Sequence, residues 1–152
     1  NTILVGLQPR GKYLCEKIVN TLRSDYNIEN LNNGLLDITF YRDDFRRGEK
    51  ILKASKTHFN LSVENKNVVF IDDVLFTGRT IRAALTAIES FGRPKSIELL
   101  ILIDRRFSRE LPIQPDYKGI QVDVYKNQKV SIEWDDDVMG DYAYIISTQD
   151  HE

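Results

Sequence analysis

The residues best suited to chemistry lie in VVFIDDVLFTGRT, residues 68–80. An apolar run ends in two adjacent carboxylates, Asp72 and Asp73, and leads into Thr77-Gly78-Arg79-Thr80. Two hydroxyls, a glycine and the free N–H groups of a helix start make a cradle for a phosphate dianion. Carboxylates touching that phosphate would be repelled by it. They fit instead against hydroxyl groups a few ångströms away, such as a ribose diol, or in support of a Mg²⁺ ion. A ligand with a 5-phosphate at one end and a diol in its middle satisfies both halves of the stretch. A solvated turn with a helix cap is the alternative, and the V-L-F-T-G-R-T that follows the acidic pair argues against it.

A second turn, Gly6-Leu7-Gln8-Pro9-Arg10-Gly11-Lys12, also favours an anion, because Arg10 and Lys12 stand beside the amides of a helix start. It comes close to a nucleotide-binding P-loop and fails at its end. Tyr13 stands where a small hydroxyl would bind Mg²⁺, and Pro9 removes a backbone amide. Beside the first site, this turn points to a further charged group on the ribose, at C1.

The surrounding pattern supplies the elements that hold these turns. TILVGL is a short apolar run typical of a buried strand, and Leu14, Ile18 and Leu22 then recur at helical spacing over Lys12 to about Ser24. Asn30 to Gly34 reads as loop, and Leu36, Ile38 and Phe40 alternate as in a strand. Arg42 to Lys56 is a charged excursion, with Phe59, Leu61 and Val63 as its returning strand. Asn67–Ile71 is a core strand, residues 78–91 a helix closed by Gly92 and Pro94, and SIELLILID another strand. IQVDVY, KVSIEW and YAYII read as short strands. The order predicts an α/β fold, a mainly parallel twisted sheet flanked by helices, with ligands beyond the carboxyl ends of its strands.

The 152 residues suit one domain, residues 1–152, with 41% hydrophobic and 29% charged residues and a net charge of −2. No global basic field draws the chain to DNA, RNA or anionic lipid. No apolar run approaches the roughly 18 residues of a membrane span. The single cysteine, Cys15, excludes an intrachain disulfide and fits a cytoplasmic location; it falls on the apolar helix face. His58 and His151 are too isolated for a metal site, and Asp135–Asp137 lacks an EF-hand pattern. The chain opens at Asn1 inside a strand-like run, so an N-terminal segment is expected to be missing.

Residues 68–80 resemble the signature of the type I phosphoribosyltransferases: a hydrophobic strand, two acids, a short apolar link and T/S-G-x-T/S. The resemblance implies binding of 5-phosphoribosyl-1-diphosphate (PRPP). By position, Asp72 and Asp73 would hold the ribose hydroxyls and support Mg²⁺ carried on PRPP. Thr77, Gly78, Arg79 and Thr80 would cradle the 5-phosphate, and Gln8, Pro9, Arg10 and Gly11 match the pyrophosphate loop. That loop often holds a cis peptide in this superfamily, and Gln8–Pro9 is where it would cost least.

Longer segments are similar to the PyrR family, the pyrimidine operon attenuation regulator that also acts as a uracil phosphoribosyltransferase. They are LDITFYRDD (36–44), FIDDVLFTGRTIRAAL (70–85), FGRP (91–94), ILIDRR (101–106) and RELPI with DY (109–117). The charged excursion Arg42–Lys56 suits a flexible lid, the last short strands suit a small C-terminal β extension, and the resemblance implies a homodimer or higher homo-oligomer. It also implies a pyrimidine-salvage reaction from uracil and PRPP to UMP and pyrophosphate. Where the 6-oxopurine enzymes typically carry an acid before T-G stands Phe76, which cannot be a general base, so purines are disfavoured. RNA attenuation is the alternative role. It is discounted because Ser108, Gln114, Pro115, Ile120 and Pro9 stand where RNA-binding members carry other groups. Arg105, Arg106 and Arg109 are the nearest approach to a basic patch.

Neutralising the leaving pyrophosphate falls first to Arg10 and second to Arg42, with Arg46, Arg47 and Lys50 closing over PRPP. Asp104 and Arg105 are the residues expected nearest the base.

Overall fold

A computed structural model describes residues 1–41, 59–135 and 140–147, the Phe40 side chain apart. Its centre is a five-stranded, wholly parallel sheet in the order β2-β1-β3-β4-β5. The strands are β1 (Thr2–Gln8), β2 (Asn32–Asp37), β3 (Asn67–Leu75), β4 (Ser96–Arg106) and β5 (Tyr117–Asp123). Helix α1 (Gly11–Ser24) follows β1, and α2 (Arg79–Ile88) follows β3, continued by a 3₁₀ turn at Glu89–Phe91. A separate antiparallel hairpin pairs β6 (Gln128–Glu133) with β7 (Tyr142–Ser147). The expected α/β architecture, with its small C-terminal β extension, is what forms.

Alternation along β3 explains the two-sided core. Val68 and Phe70 pack with Ile81, Ala84 and Ile88 of α2, whereas Val69 and Ile71 pack with Leu14, Cys15 and Val19 of α1. A strand buried on both faces must read as a continuous apolar run, and this one does. Burying a side chain of this size stabilises the fold by about 1.5–3 kcal/mol. A third cluster joins Ile103 of β4 and Val124 to Val130 and Ile132 of β6, which seats the hairpin at the carboxyl end of the sheet.

Three local expectations are corrected. Strand β2 begins at Asn32, inside the expected loop, because main-chain pairing with Ile3, Leu4 and Val5 carries its polar residues. It stops at Asp37, where a carboxylate oxygen takes the Thr39 amide at 2.9 Å and a 3₁₀ turn over Thr39–Tyr41 follows. Phe59 and Val63 form no strand; they are core residues, and Phe59 meets Phe91 edge to face at 4.8 Å. The expected excursion Arg42–Lys56, with Arg42, Arg46, Arg47 and Lys50, lies outside the described residues. Among the described residues no helix is long and apolar enough to cross a membrane.

Candidate active site

Two strand ends and two helix starts meet at the carboxyl edge of the sheet. The first is the β1–α1 turn. Gln8–Pro9 is a cis peptide, as the sequence reading expects. The chain then passes so close to β3 that a Cβ on Gly11 would lie 2.3 Å from the Ile71 carbonyl oxygen. Only glycine fits there, and the approach brings the start of α1 against the acidic pair. Among the described residues, the buried Gln8 Oε1 has no hydrogen-bond partner, and neither has Oδ2 of Asp37, its register partner on β2.

The second turn leaves β3. Asp72 and Asp73 are both buried. Asp72 Oδ1 accepts from the Asp73 amide at 2.9 Å, and Asp73 Oδ1 accepts from the Val74 amide at 2.7 Å. Burial, then the charge of Asp73, pushes the Asp72 carboxyl well above the ordinary carboxylate range. Arg10 supplies the compensating charge, with its Nε 2.7 Å from Asp73 Oδ2. At Gly78 φ is +94°, a left-handed value that suits glycine, and α2 starts there with no side-chain cap. The Arg79 amide donates to Thr77 Oγ1 at 3.3 Å, so that hydroxyl lies at the mouth of the turn, where an anion would meet a helix start.

Both turns open onto one cavity of about 580 Å³, lined by Gln8, Pro9, Arg10, Asp72, Asp73, Phe76, Thr80 and Arg105, with Gln128 and Val130 of the hairpin closing one side. That volume suits a nucleotide-sized ligand. Arg105 is buried; its guanidinium carbon lies 3.9 Å from the centre of the Phe76 ring, and its Nη2 donates to the Gln128 carbonyl at 3.1 Å. Burial lowers its pKa, and its buried Nε has no partner among the described residues.

Asp104 does not join this group. Alternation on β4 turns it to the other side of the strand, where Arg109 and Gln121 engage its two oxygens at 2.5 and 3.1 Å. It lines a separate hollow of about 280 Å³. The Arg79 guanidinium turns to Glu110 at 2.7 Å, so its contribution to the turn is its backbone. Nor do the three arginines of the expected patch form a free basic surface. Arg105 is buried, Arg106 grips Asp123 through two hydrogen bonds of 2.5 and 2.7 Å, and Arg109 binds Asp104 and the Phe76 carbonyl. Missed by the sequence reading were the hairpin residues around Gln128 and Val130, whose only signal was their place after the sheet.

A parallel sheet whose carboxyl edge carries an acidic strand end between two strand-to-helix turns is the architecture of the type I phosphoribosyltransferases. The model of the phosphoribosyl transferase domain matches residues 1–137, and the chain belongs to that family, on its PyrR-like branch. It is 43% identical over 152 residues to the Bifunctional protein PyrR of Caldicellulosiruptor bescii, covering 100% of this chain and 82% of the relative. To the Bifunctional protein PyrR of Haemophilus ducreyi it is 46% identical over 132 residues, 87% of this chain and 73% of the relative.

Among solved structures, a hypoxanthine phosphoribosyltransferase of Staphylococcus aureus superposes with a TM-score of 0.59 at 21% identity, over 85% of this chain and 64% of that one. The hypoxanthine phosphoribosyltransferase of Trypanosoma cruzi gives 0.59 at 16% identity, over 80% and 61%. This chain therefore spans slightly less than two thirds of either solved chain. At these identities the likeness concerns the fold.

Proposed function

We propose that the chain is a uracil phosphoribosyltransferase, forming UMP and pyrophosphate from uracil and PRPP. The observation that carries the reading is the shared cavity. Gln8, Pro9 and Arg10, the Asp72–Asp73 pair, and Thr80 at the start of α2 all line it, and so do Phe76 and Arg105. Those are the groups that a ribose bearing a 1-diphosphate, two hydroxyls and a 5-phosphate, with a base arriving at C1, would call for.

In the reaction the bond from C1 to the diphosphate oxygen breaks, the bond from C1 to uracil N1 forms, and the N1 proton is released. Positive charge spreads over C1 and the ring oxygen on the way, as in glycoside hydrolysis. No covalent enzyme nucleophile is required. Asp72 and Asp73 orient the ribose hydroxyls; Thr77, Gly78, the Arg79 amide and Thr80 hold the 5-phosphate. Arg10 faces the charge that develops on the departing pyrophosphate, and Arg42, which lies outside the described residues, is the second candidate for that role.

Mg²⁺ fits this donor set as a partner of the substrate, because two carboxylates with substrate oxygens and water suit it. It would supply further neutralisation of the diphosphate. For the base, Arg105 offers only donors, which suit a carbonyl oxygen of uracil, and Phe76 offers an apolar ring without a proton acceptor.

The test is nucleotide formation from PRPP and Mg²⁺ with uracil, orotate, hypoxanthine or guanine supplied singly. Product with uracil alone is expected. Product with a purine would overturn the Phe76 argument, and no product with any base would remove the enzyme reading.

The relatives' name, Bifunctional protein PyrR, favours a second reading: binding of a pyrimidine-gene leader RNA by the same chain. Such binding would be salt-sensitive and sequence-selective. The expectation is that Arg106→Ala leaves RNA affinity unchanged, since Asp123 already holds that guanidinium. A salt-dependent loss of affinity in that variant would return Arg106 to an RNA surface.

A further inference from the structure

Arg109, read from the sequence as part of a basic patch, lies instead behind the turn that starts α2. Its Nη2 donates to Asp104 Oδ1 at 2.5 Å, and its Nη1 donates to the Phe76 carbonyl at 2.6 Å. Asp104 is buried on β4, and Gln121 occupies its other oxygen. The guanidinium is thus anchored at one end by a fixed anion and holds one peptide of the turn at the other. The next carbonyl is taken by the same strap, because the amides of Glu110 and Leu111 donate to Thr77 O at 3.0 and 3.2 Å. Ile113 closes against Gly78, where a Cβ would lie 3.3 Å from its Cδ1.

A planar trans peptide directs its C=O and its N–H in opposite directions. With the carbonyls of Phe76 and Thr77 drawn to the strap, the N–H groups of Thr77 and Gly78 face away from it. The strap residues Arg109, Leu111 and Ile113 line their own hollow, whereas Phe76 and Thr80 line the large cavity.

We propose that Arg109 is a positioning residue for the 5-phosphate. By bridging Asp104 to the Phe76 carbonyl it holds the peptides of residues 76–78 with their amides turned to the ligand. This deepens the phosphoribosyltransferase reading of the site and rests on it. The role needs a planar fork with two donors in fixed relation. A lysine would neutralise Asp104 but, as a point charge on a flexible stem, would not hold both acceptors.

The experiment compares wild type and Arg109→Lys in binding ribose 5-phosphate and, separately, Mg²⁺-pyrophosphate by calorimetry, alongside thermal unfolding and steady-state kinetics. The expected result is about tenfold weaker ribose 5-phosphate binding and a similar rise in the KM for PRPP, as for the loss of one hydrogen-bonded constraint. Pyrophosphate affinity stays within about twofold and kcat changes little, because the opposite end of the site is untouched.

Full retention of ribose 5-phosphate affinity in Arg109→Lys would reduce the residue to a charge partner and overturn the proposal. Should the lysine variant be unstable, Asp104→Asn with Arg109→Met removes both charges together. The same selective loss is expected, and equal loss at both ends of the site would overturn the proposal. Wild-type protein that binds no ribose 5-phosphate and makes no nucleotide would sink the transferase reading, and this inference with it.

Discussion

Arg10 spans the site: its Nε sits 2.7 Å from Asp73 Oδ2, and its Nη2 donates to the Ile132 carbonyl at 3.0 Å. One side chain thus joins the acidic pair, the cis-proline turn and the hairpin. In the proposed reaction a diphosphate entering the β1–α1 turn would compete with Asp73 for this guanidinium and release Asp73 to the ribose hydroxyls. Arg10→Gln is expected to lower kcat on the order of 10²–10³-fold, the scale for removing one group that stabilises developing charge. Faster amide hydrogen exchange in β6 should accompany it, since the hairpin loses its tie. A variant with unchanged kcat would separate Arg10 from the chemistry.

Asp72 sets function against stability. Its carboxyl is raised well above the ordinary range by burial and by Asp73, so the folded protein favours the protonated form more than the unfolded chain does. Stability from this group is complete below the ordinary carboxylate pKa and is lost as pH rises through the raised value. Asp72→Asn should therefore melt higher than wild type at neutral pH, with the difference shrinking toward pH ~4, while PRPP turnover is abolished. Melting curves across pH decide it, and equal Tm values at neutral pH would contradict the burial argument.

Cys15 offers a check on the packing beneath the site. It is buried under the β1–α1 turn, and burial pushes its thiol up to about 11. Alkylation requires the thiolate, so iodoacetamide near pH 8 should label the native protein only through unfolding. Gly6 adjoins it, and a Cβ there would lie 2.8 Å from Cys15 Cβ. Gly6→Ala is expected to destabilise by about 1–3 kcal/mol through overpacking, and to speed labelling accordingly. Rapid labelling of native wild type would show the turn to be more open than this packing allows.

Much of this was legible because local chemistry repeats in the chain. Val68 to Ile71 reads as a buried strand from composition alone, and Thr77-Gly78-Arg79-Thr80 carries its own turn and helix start. What escaped depended on contacts between distant segments. Asp104 and Arg105 are neighbours in sequence, yet the pleat of β4 sends them to different cavities. Nothing within RELPI announces that its amides will bind Thr77, more than thirty residues earlier. Strand β2 was misplaced for the same reason, because pairing with β1 overrides the loop-like composition of Asn32 and Asn33.

The stack of Arg105 on Phe76 yields the prediction closest to specificity. The arginine is buried, and its guanidinium carbon lies 3.9 Å from the ring centre, a cation–π contact that holds the side chain in the cavity wall. Desolvation strengthens such a contact to about 2 kcal/mol. Phe76→Ala should leave the acidic pair and the PRPP turns in place while freeing Arg105. The KM for uracil should rise on the order of tenfold and the KM for PRPP should hardly change. Arg105→Lys should act in the same direction, because a point charge replaces a planar donor pair. A rise confined to PRPP would place these two residues at the phosphate end, and the assignment of the base pocket would then have to move to the hairpin.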